Sequence, residues 1–108
     1  MPLYMVQLGW TPEAVAAFVK TPQDRTGVAV QVAEKLGGKL VSAYAALDGE
    51  YQAVIVVELP DNVSAAAFGT ALYAGGLLKD MMATPLLTVE QAVEAQRKAG
   101  QASYRPPS

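Results

Sequence analysis

Leu47-Asp48-Gly49-Glu50-Tyr51-Gln52-Ala53-Val54-Ile55-Val56-Val57-Glu58-Leu59-Pro60-Asp61-Asn62 reads as a tight turn, a strand and a helix start. Ala53 to Val57 is an unbroken apolar run, mostly β-branched, which suits a strand covered on both faces. Asp48-Gly49 is a short-range hairpin signal, because glycine accepts the positive φ that such turns need. Pro60 has no N–H to give a ladder, so the strand stops before it. Asp61 or Asn62 then caps a helix.

Upstream of this strand, Leu3 to Trp10 alternates. Tyr4, Val6, Leu8 and Trp10 fall on one face, and Leu3, Met5, Gln7 and Gly9 on the other. Thr11-Pro12-Glu13 opens a helix, with Thr11 as N-cap and Pro12 in the first turn. Thr21-Pro22 repeats that signal after a break near Lys20, since the residue before proline is pushed out of the helical region. The second helical piece carries Val28, Val32 and Leu36 as its apolar stripe and stops at Gly37-Gly38. Lys39 to Leu47 is the second strand. Alternation puts Val41, Ala43, Ala45 and Leu47 on the helix side, and Leu40, Ser42, Tyr44 and Ala46 opposite.

Downstream, a helix is predicted over about 63–74, with a stripe of Phe68 and Leu72 and small residues around it. Leu77 to Leu87 holds a fourth strand, interrupted near its end by Pro85. Thr88 and Gln91 form a capping box for a last helix. Residues 103–108 form an extended tail after a single domain over 1–102, with Pro106-Pro107 favouring polyproline geometry. The order β-α-β-β-α-β plus a C-terminal helix is the α+β, ferredoxin-like pattern. It consists of a four-stranded antiparallel sheet with its helices on one face.

Composition narrows the function classes. The chain has 108 residues and no cysteine or histidine. Disulfides and thiol chemistry are therefore absent, together with the commonest general base and the commonest metal ligand. A net charge of −2 gives no case for nucleic acid or an anionic membrane as partner. No apolar run reaches the ~20 residues of a membrane span, and no signal peptide is visible, so a cytoplasmic protein is expected. No phosphate-loop or dinucleotide motif occurs, so no cofactor is expected. Met81-Met82 reads as gap-filling core.

Charged residues make up only 17% of the chain, against about 25% on average. The strand face turned away from the helices is correspondingly apolar: Met5, Leu40, Val54 and Val56, with Gln7, Ser42, Tyr44, Gln52 and Glu58 as polar handles. Four strands of about 18 Å at ~4.8 Å spacing make a face of roughly 350 Å². A patch of that size is near the limit that a monomer leaves open. A second copy of the chain is the expected cover, which makes a homodimeric α/β barrel.

Gly37-Gly38-Lys39-Leu40, Gly49-Glu50-Tyr51, Val56-Val57-Glu58-Leu59-Pro60-Asp61, Thr84-Pro85-Leu86-Leu87-Thr88 and the ending Tyr104-Arg105-Pro106-Pro107 together resemble the GYD domain family over almost the whole chain. Gly49 and Tyr51 match the Gly-x-Tyr-Asp run that names the family, with Gln52 in place of its aspartate. The resemblance implies a ferredoxin-like, dimeric α/β-barrel fold and no established activity.

Candidate ligand-binding residues are Gln7, Tyr44, Gln52 and Glu58, all assigned to the face away from the helices. Polar atoms on an apolar wall are what orient a small ligand between two sheets. The same atoms also suit a hydrogen-bonded dimer interface. Glu58 reads either as a general base on a small organic substrate or as a strand-end carboxylate reaching water or an interface lysine. Asp48 and Glu50 flank a turn glycine, which suits solvated turn residues. Trp10 and Tyr4 read as stacking groups or as core aromatics. Two functions follow. One is a non-catalytic oligomeric module, with or without a small molecule between its sheets. The alternative is a cofactor-independent enzyme for proton abstraction or oxygenation, with Glu58 and Tyr44 as its groups.

Overall fold

The structure, a computed structural model, describes residues 1–47, 49–102 and 105–107. Asp48 of the expected turn and Ser103, Tyr104 and Ser108 of the expected tail lie outside the described residues. The chain is an α+β ferredoxin-like domain. Its elements are β1 (Leu3–Trp10), α1 (Pro12–Lys20), α2 (Thr26–Lys35), β2 (Lys39–Ala45), β3 (Ala53–Glu58), α3 (Asn62–Ala74), β4 (Leu78–Leu86) and α4 (Val89–Ala102). The sheet runs β2-β3-β1-β4, and every neighbouring pair is antiparallel.

The apolar alternation of β1 and β3 sets the core. Tyr4, Val6 and Leu8 from β1 and Ile55 and Val57 from β3 are buried together with Ala29, Ala33, Ala65 and Phe68 from the helices. Each fully buried aliphatic side chain contributes about 1.5–3 kcal/mol. The buried Tyr4 hydroxyl donates to Asn62 Oδ1 at 2.8 Å, which ties the first residues of the sheet to the start of α3. Pro85 is accommodated in β4 because β4 is an edge strand, where a missing N–H breaks no ladder on the solvent side.

Helix starts follow their caps. The Thr11 hydroxyl accepts the Ala14 N–H at 3.0 Å, and Asp61 Oδ1 accepts the Ser64 N–H at 2.8 Å. At α4 the box is reciprocal: the Thr88 N–H donates to Gln91 Oε1 at 2.9 Å, and the Gln91 N–H to Thr88 Oγ1 at 3.1 Å. The second helix departs from the expected start at Thr21-Pro22. It begins at Thr26, whose N–H is accepted by Asp24 Oδ1 at 2.8 Å, while the Thr21 carbonyl accepts the Gln23 side-chain amide. Asp24 supplies the acceptor that decides where the helix opens, and residues 21–25 are left as a loop. The buried stripe of α2 is also rotated by one position. Ala29 and Ala33 are buried, Val32 and Leu36 flank them, and Val28 lies at the exposed rim.

The faces of β2 differ from strict alternation. Leu40 lies opposite Val57 and Ser42 opposite Val56, so Val41 is an extra residue at a register shift. Leu40 therefore packs on the core, while Val41 is 50% exposed. From Ser42 onward the expected faces hold. The shift lies beside a tight contact, because a Cβ on Gly38 would overlap the Glu58 carbonyl. A bulge lets the strand turn away from such a contact while the ladder continues. The β2–β3 turn is wider than a two-residue hairpin, with the Ala46 N–H donating to the Gln52 carbonyl at 2.9 Å and Gly49 at φ +102° within the loop.

No residue of α4 is buried, although Val89, Ala92, Val93 and Ala99 give it an apolar stripe. The Cα radius of gyration is 17.2 Å and the longest dimension 58 Å, against about 13 Å expected for a compact domain of this length. Among the described residues, no helix is long and apolar enough to cross a membrane.

Candidate functional site

Two surfaces bear on function, one on each side of the sheet. On the outer side, Met82, Gln7, Val54 and Tyr44 lie in register across all four strands. The next row is Thr84, Met5, Val56 and Ser42, and the one after it Leu86, Leu3, Glu58 and Lys39. None of the residues in these rows is buried, and among the described residues no element covers them. Gln7 and Tyr44 thus share a row with only Val54 between them, and Tyr44 is 67% exposed.

Glu58 is not brought to Tyr44. It lies four residues along β3 from Val54, about 13 Å away. Its carboxylate is 3.9 Å from Lys39 Nζ with a side chain 29% exposed. Lys39 is thus its partner within the chain, from the neighbouring strand β2.

Gln52 falls outside the strands, and its amide is spent on backbone groups. Oε1 accepts the Trp10 N–H at 3.0 Å, and Nε2 donates to the Gly49 carbonyl at 2.8 Å. A carboxylate in its place has no proton to give Gly49. Gln52→Glu is therefore expected to lower stability by roughly 1–2 kcal/mol, through the lost donor and a charge set against a carbonyl. The midpoint of urea unfolding measures this, and an unchanged midpoint removes the structural role. The neighbouring Tyr51 hydroxyl donates to Asp80 Oδ2 at 3.4 Å. Desolvation first, and then the Asp80 and Glu50 charges, hold that phenol above its ordinary value.

On the inner side, between sheet and helices, lies a cavity of about 460 Å³. Leu8, Ile55 and Leu78 form its floor, with Val32 and Leu72 on the walls. Trp10 and Phe18 meet edge to face at its side, with ring centroids 5.1 Å apart and planes at 86°. The mouth is formed by the 21–25 loop and the start of α2, where Gln23, Asp24, Arg25 and Thr26 supply the polar groups. Gln52 and Tyr44 border this cavity as well, the latter from edge strand β2. Tyr4 sits six residues from Trp10 on β1 and takes no part in it.

The cavity has a physical origin in the sequence. Alanine at 29, rather than valine, faces the sheet, and the Pro22 break separates α1 from α2. Both leave space under the helices. Outside the expected set, Phe18, Asp24 and Arg25 are the lining residues with distinct chemistry; the one signal for them was the polar break between two helical patterns. The Asp24 carboxyl is held below its usual range by the Thr26 hydroxyl and then by the Thr26 N–H. Among the described residues no group of three or more carboxylates could hold a metal ion.

The family model for the GYD domain matches residues 4–95. No curated protein matches the sequence. Among solved structures, the chain is similar to 5-chloro-2-hydroxyhydroquinone dehydrochlorinase from Burkholderia phenoliruptrix, determined in complex with 2,5-dihydroxybenzoquinone. That likeness has a TM-score of 0.55 and 10% identity, and covers 82% of this chain and 97% of that one. It is also similar to the protein Atu4242 from Agrobacterium tumefaciens, with a TM-score of 0.51 and 13% identity over 82% and 94% of the two chains. At these identities the likeness shows the fold alone.

Proposed function

The chain belongs to the GYD domain family, and from that premise we propose that it is a homo-oligomeric α/β-barrel module that binds a small, mainly apolar organic molecule without transforming it. The observation that carries the binding reading is the cavity of about 460 Å³ under the helices. It falls within the ~300–1,000 Å³ of small-molecule pockets, and it pairs an apolar floor with a few polar groups at one end. The Burkholderia neighbour was solved with a small cyclic quinone bound, which agrees with a fold able to house such molecules.

Binding without chemistry follows from the groups at hand. Asp24 is the carboxylate at the mouth, and its hydrogen bonds to Thr26 favour the ionised form and weaken it as a base. Glu58 lies on the other side of the sheet, beside Lys39. Self-association is supported by the uncovered outer rows. There Gln7, Ser42 and Tyr44 are the polar contacts of the proposed sheet-to-sheet interface, and Glu58 with Lys39 lies at its edge. The apolar stripe of α4 adds surface to an interface that needs about 800 Å² per partner.

Mass spectrometry of the extract from freshly purified chain tests the binding reading. A near-stoichiometric small molecule is expected in the wild type and not in Ala29→Phe, which fills the cavity from α2. An empty wild-type extract, together with no change in Trp10 emission on titrating small aromatic compounds, would remove it.

A further inference from the structure

We propose that the cavity under the helices selects an apolar monocarboxylate, with its hydrocarbon body against Trp10 and Phe18 and its carboxylate on Arg25. This rests on the binding reading above and goes further by naming the ligand class. The floor of Leu8, Ile55 and Leu78 offers no hydrogen-bonding side chain, so the deep part of the ligand is hydrocarbon. Trp10 and Phe18 stand perpendicular, which leaves the ring face of one and the edge of the other to meet a flat or branched body.

The polar end is set by the mouth. Arg25 is half-buried and lines the cavity. Its guanidinium meets the Gln23 side-chain oxygen at 3.4 Å, a long bond to a neutral partner. Among the described residues, the ion pairs are Lys39 with Glu58 and Arg97 with Glu94, and none of the described carboxylates lies within 4.0 Å of the Arg25 guanidinium. Its neighbour Asp24 is engaged at the start of α2 through the Thr26 N–H. A guanidinium with open donors takes a carboxylate in two parallel bonds. The Asp24 charge beside it disfavours a dianion, which limits the ligand to one negative charge.

Trp10 is the one tryptophan of the chain and lies in the cavity wall, so its emission reports binding. The test titrates the full chain with two acid and amide pairs, phenylpropanoate with phenylpropanamide and octanoate with octanamide. In wild type each acid is expected to bind about tenfold more tightly than its amide. In Arg25→Gln that preference is expected to vanish, through loss of acid affinity. Arg25 sits in a loop outside the core, so the variant is expected to fold as wild type, with circular dichroism as the check. Equal affinity of acid and amide in wild type, or a preference that survives in Arg25→Gln, overturns the ligand class and leaves the cavity reading standing. No response to any of the four compounds up to millimolar concentration overturns both.

Discussion

Phe68→Ala is expected to lower the unfolding free energy by about 3–5 kcal/mol. Phe68 has no exposed surface and is the largest fully buried side chain. It sits one turn above Ala65 and one turn below Leu72 on the face of α3 that meets the sheet. Its neighbours in the cluster are held by β1 and β3 in the middle of the sheet, so they have little freedom to move into the space it leaves. The loss is the transfer free energy of the ring plus the void. A domain of this size has a total stability of roughly 5–15 kcal/mol, so the variant is expected to be partly unfolded well below the wild-type midpoint. Urea unfolding at one fixed protein concentration measures it, because the proposed self-association would make apparent stability depend on concentration. The midpoint should fall while the slope is unchanged. A loss under about 1 kcal/mol would show that α3 does not seal this core.

What was legible in the sequence was what depends on neighbours along the chain. The inner face of β1 alternates without interruption, and Tyr4, Val6 and Leu8 are buried as that pattern demands. The caps at Thr11, Asp61 and Thr88 were legible because an N-cap is a contact over three residues. What failed depends on contacts between distant residues. The face of Leu40 is reversed by a bulge that stands next to the close approach of Gly38 and the Glu58 carbonyl, and no pattern within β2 announces it. The start of α2 was misplaced because Thr21-Pro22 carries the same signal as Thr11-Pro12. Asp24, three residues on, holds the Thr26 N–H instead.

The site was less legible than the fold for the same reason. Alternation placed Gln7 and Tyr44 on one face, and the register puts both opposite Val54. It had no means of showing that Gln52 closes the end of the sheet with both ends of its amide. The cavity belongs to no single element. It arises where a loop at 21–25, an alanine face on α2 and the Trp10–Phe18 pair fail to fill the space over the sheet. A sequence lists side chains and not the gaps between them.

Val56→Asp is expected to leave the fold intact and raise the dissociation constant of self-association at least about a hundredfold. Val56 lies between Met5 and Ser42 in the middle row of the outer face, on the side of the sheet away from the helices. Within one chain it is only half-buried, and its ladder bonds are made by the backbone, so an aspartate there can be hydrated in the monomer. In the proposed dimer the same carboxylate is buried against Met5 of this face and an apolar partner face, with no cation in its row or the next toward Tyr44. An unpaired buried charge costs about 3–5 kcal/mol, which is roughly two to four orders of magnitude in a dissociation constant. Val19→Asp is the control. It sits 76% exposed on α1, on the other side of the molecule, and is expected to change neither stability nor association. Sedimentation equilibrium over micromolar concentrations measures both. The wild type and Val19→Asp should weigh as dimers or multiples of dimers, and Val56→Asp as a monomer. The variant should also lose any dependence of its melting temperature on concentration. A wild type that sediments as a monomer, or a Val56→Asp that remains dimeric, would place the interface elsewhere or remove it, and the uncovered rows of the sheet would then need another occupant.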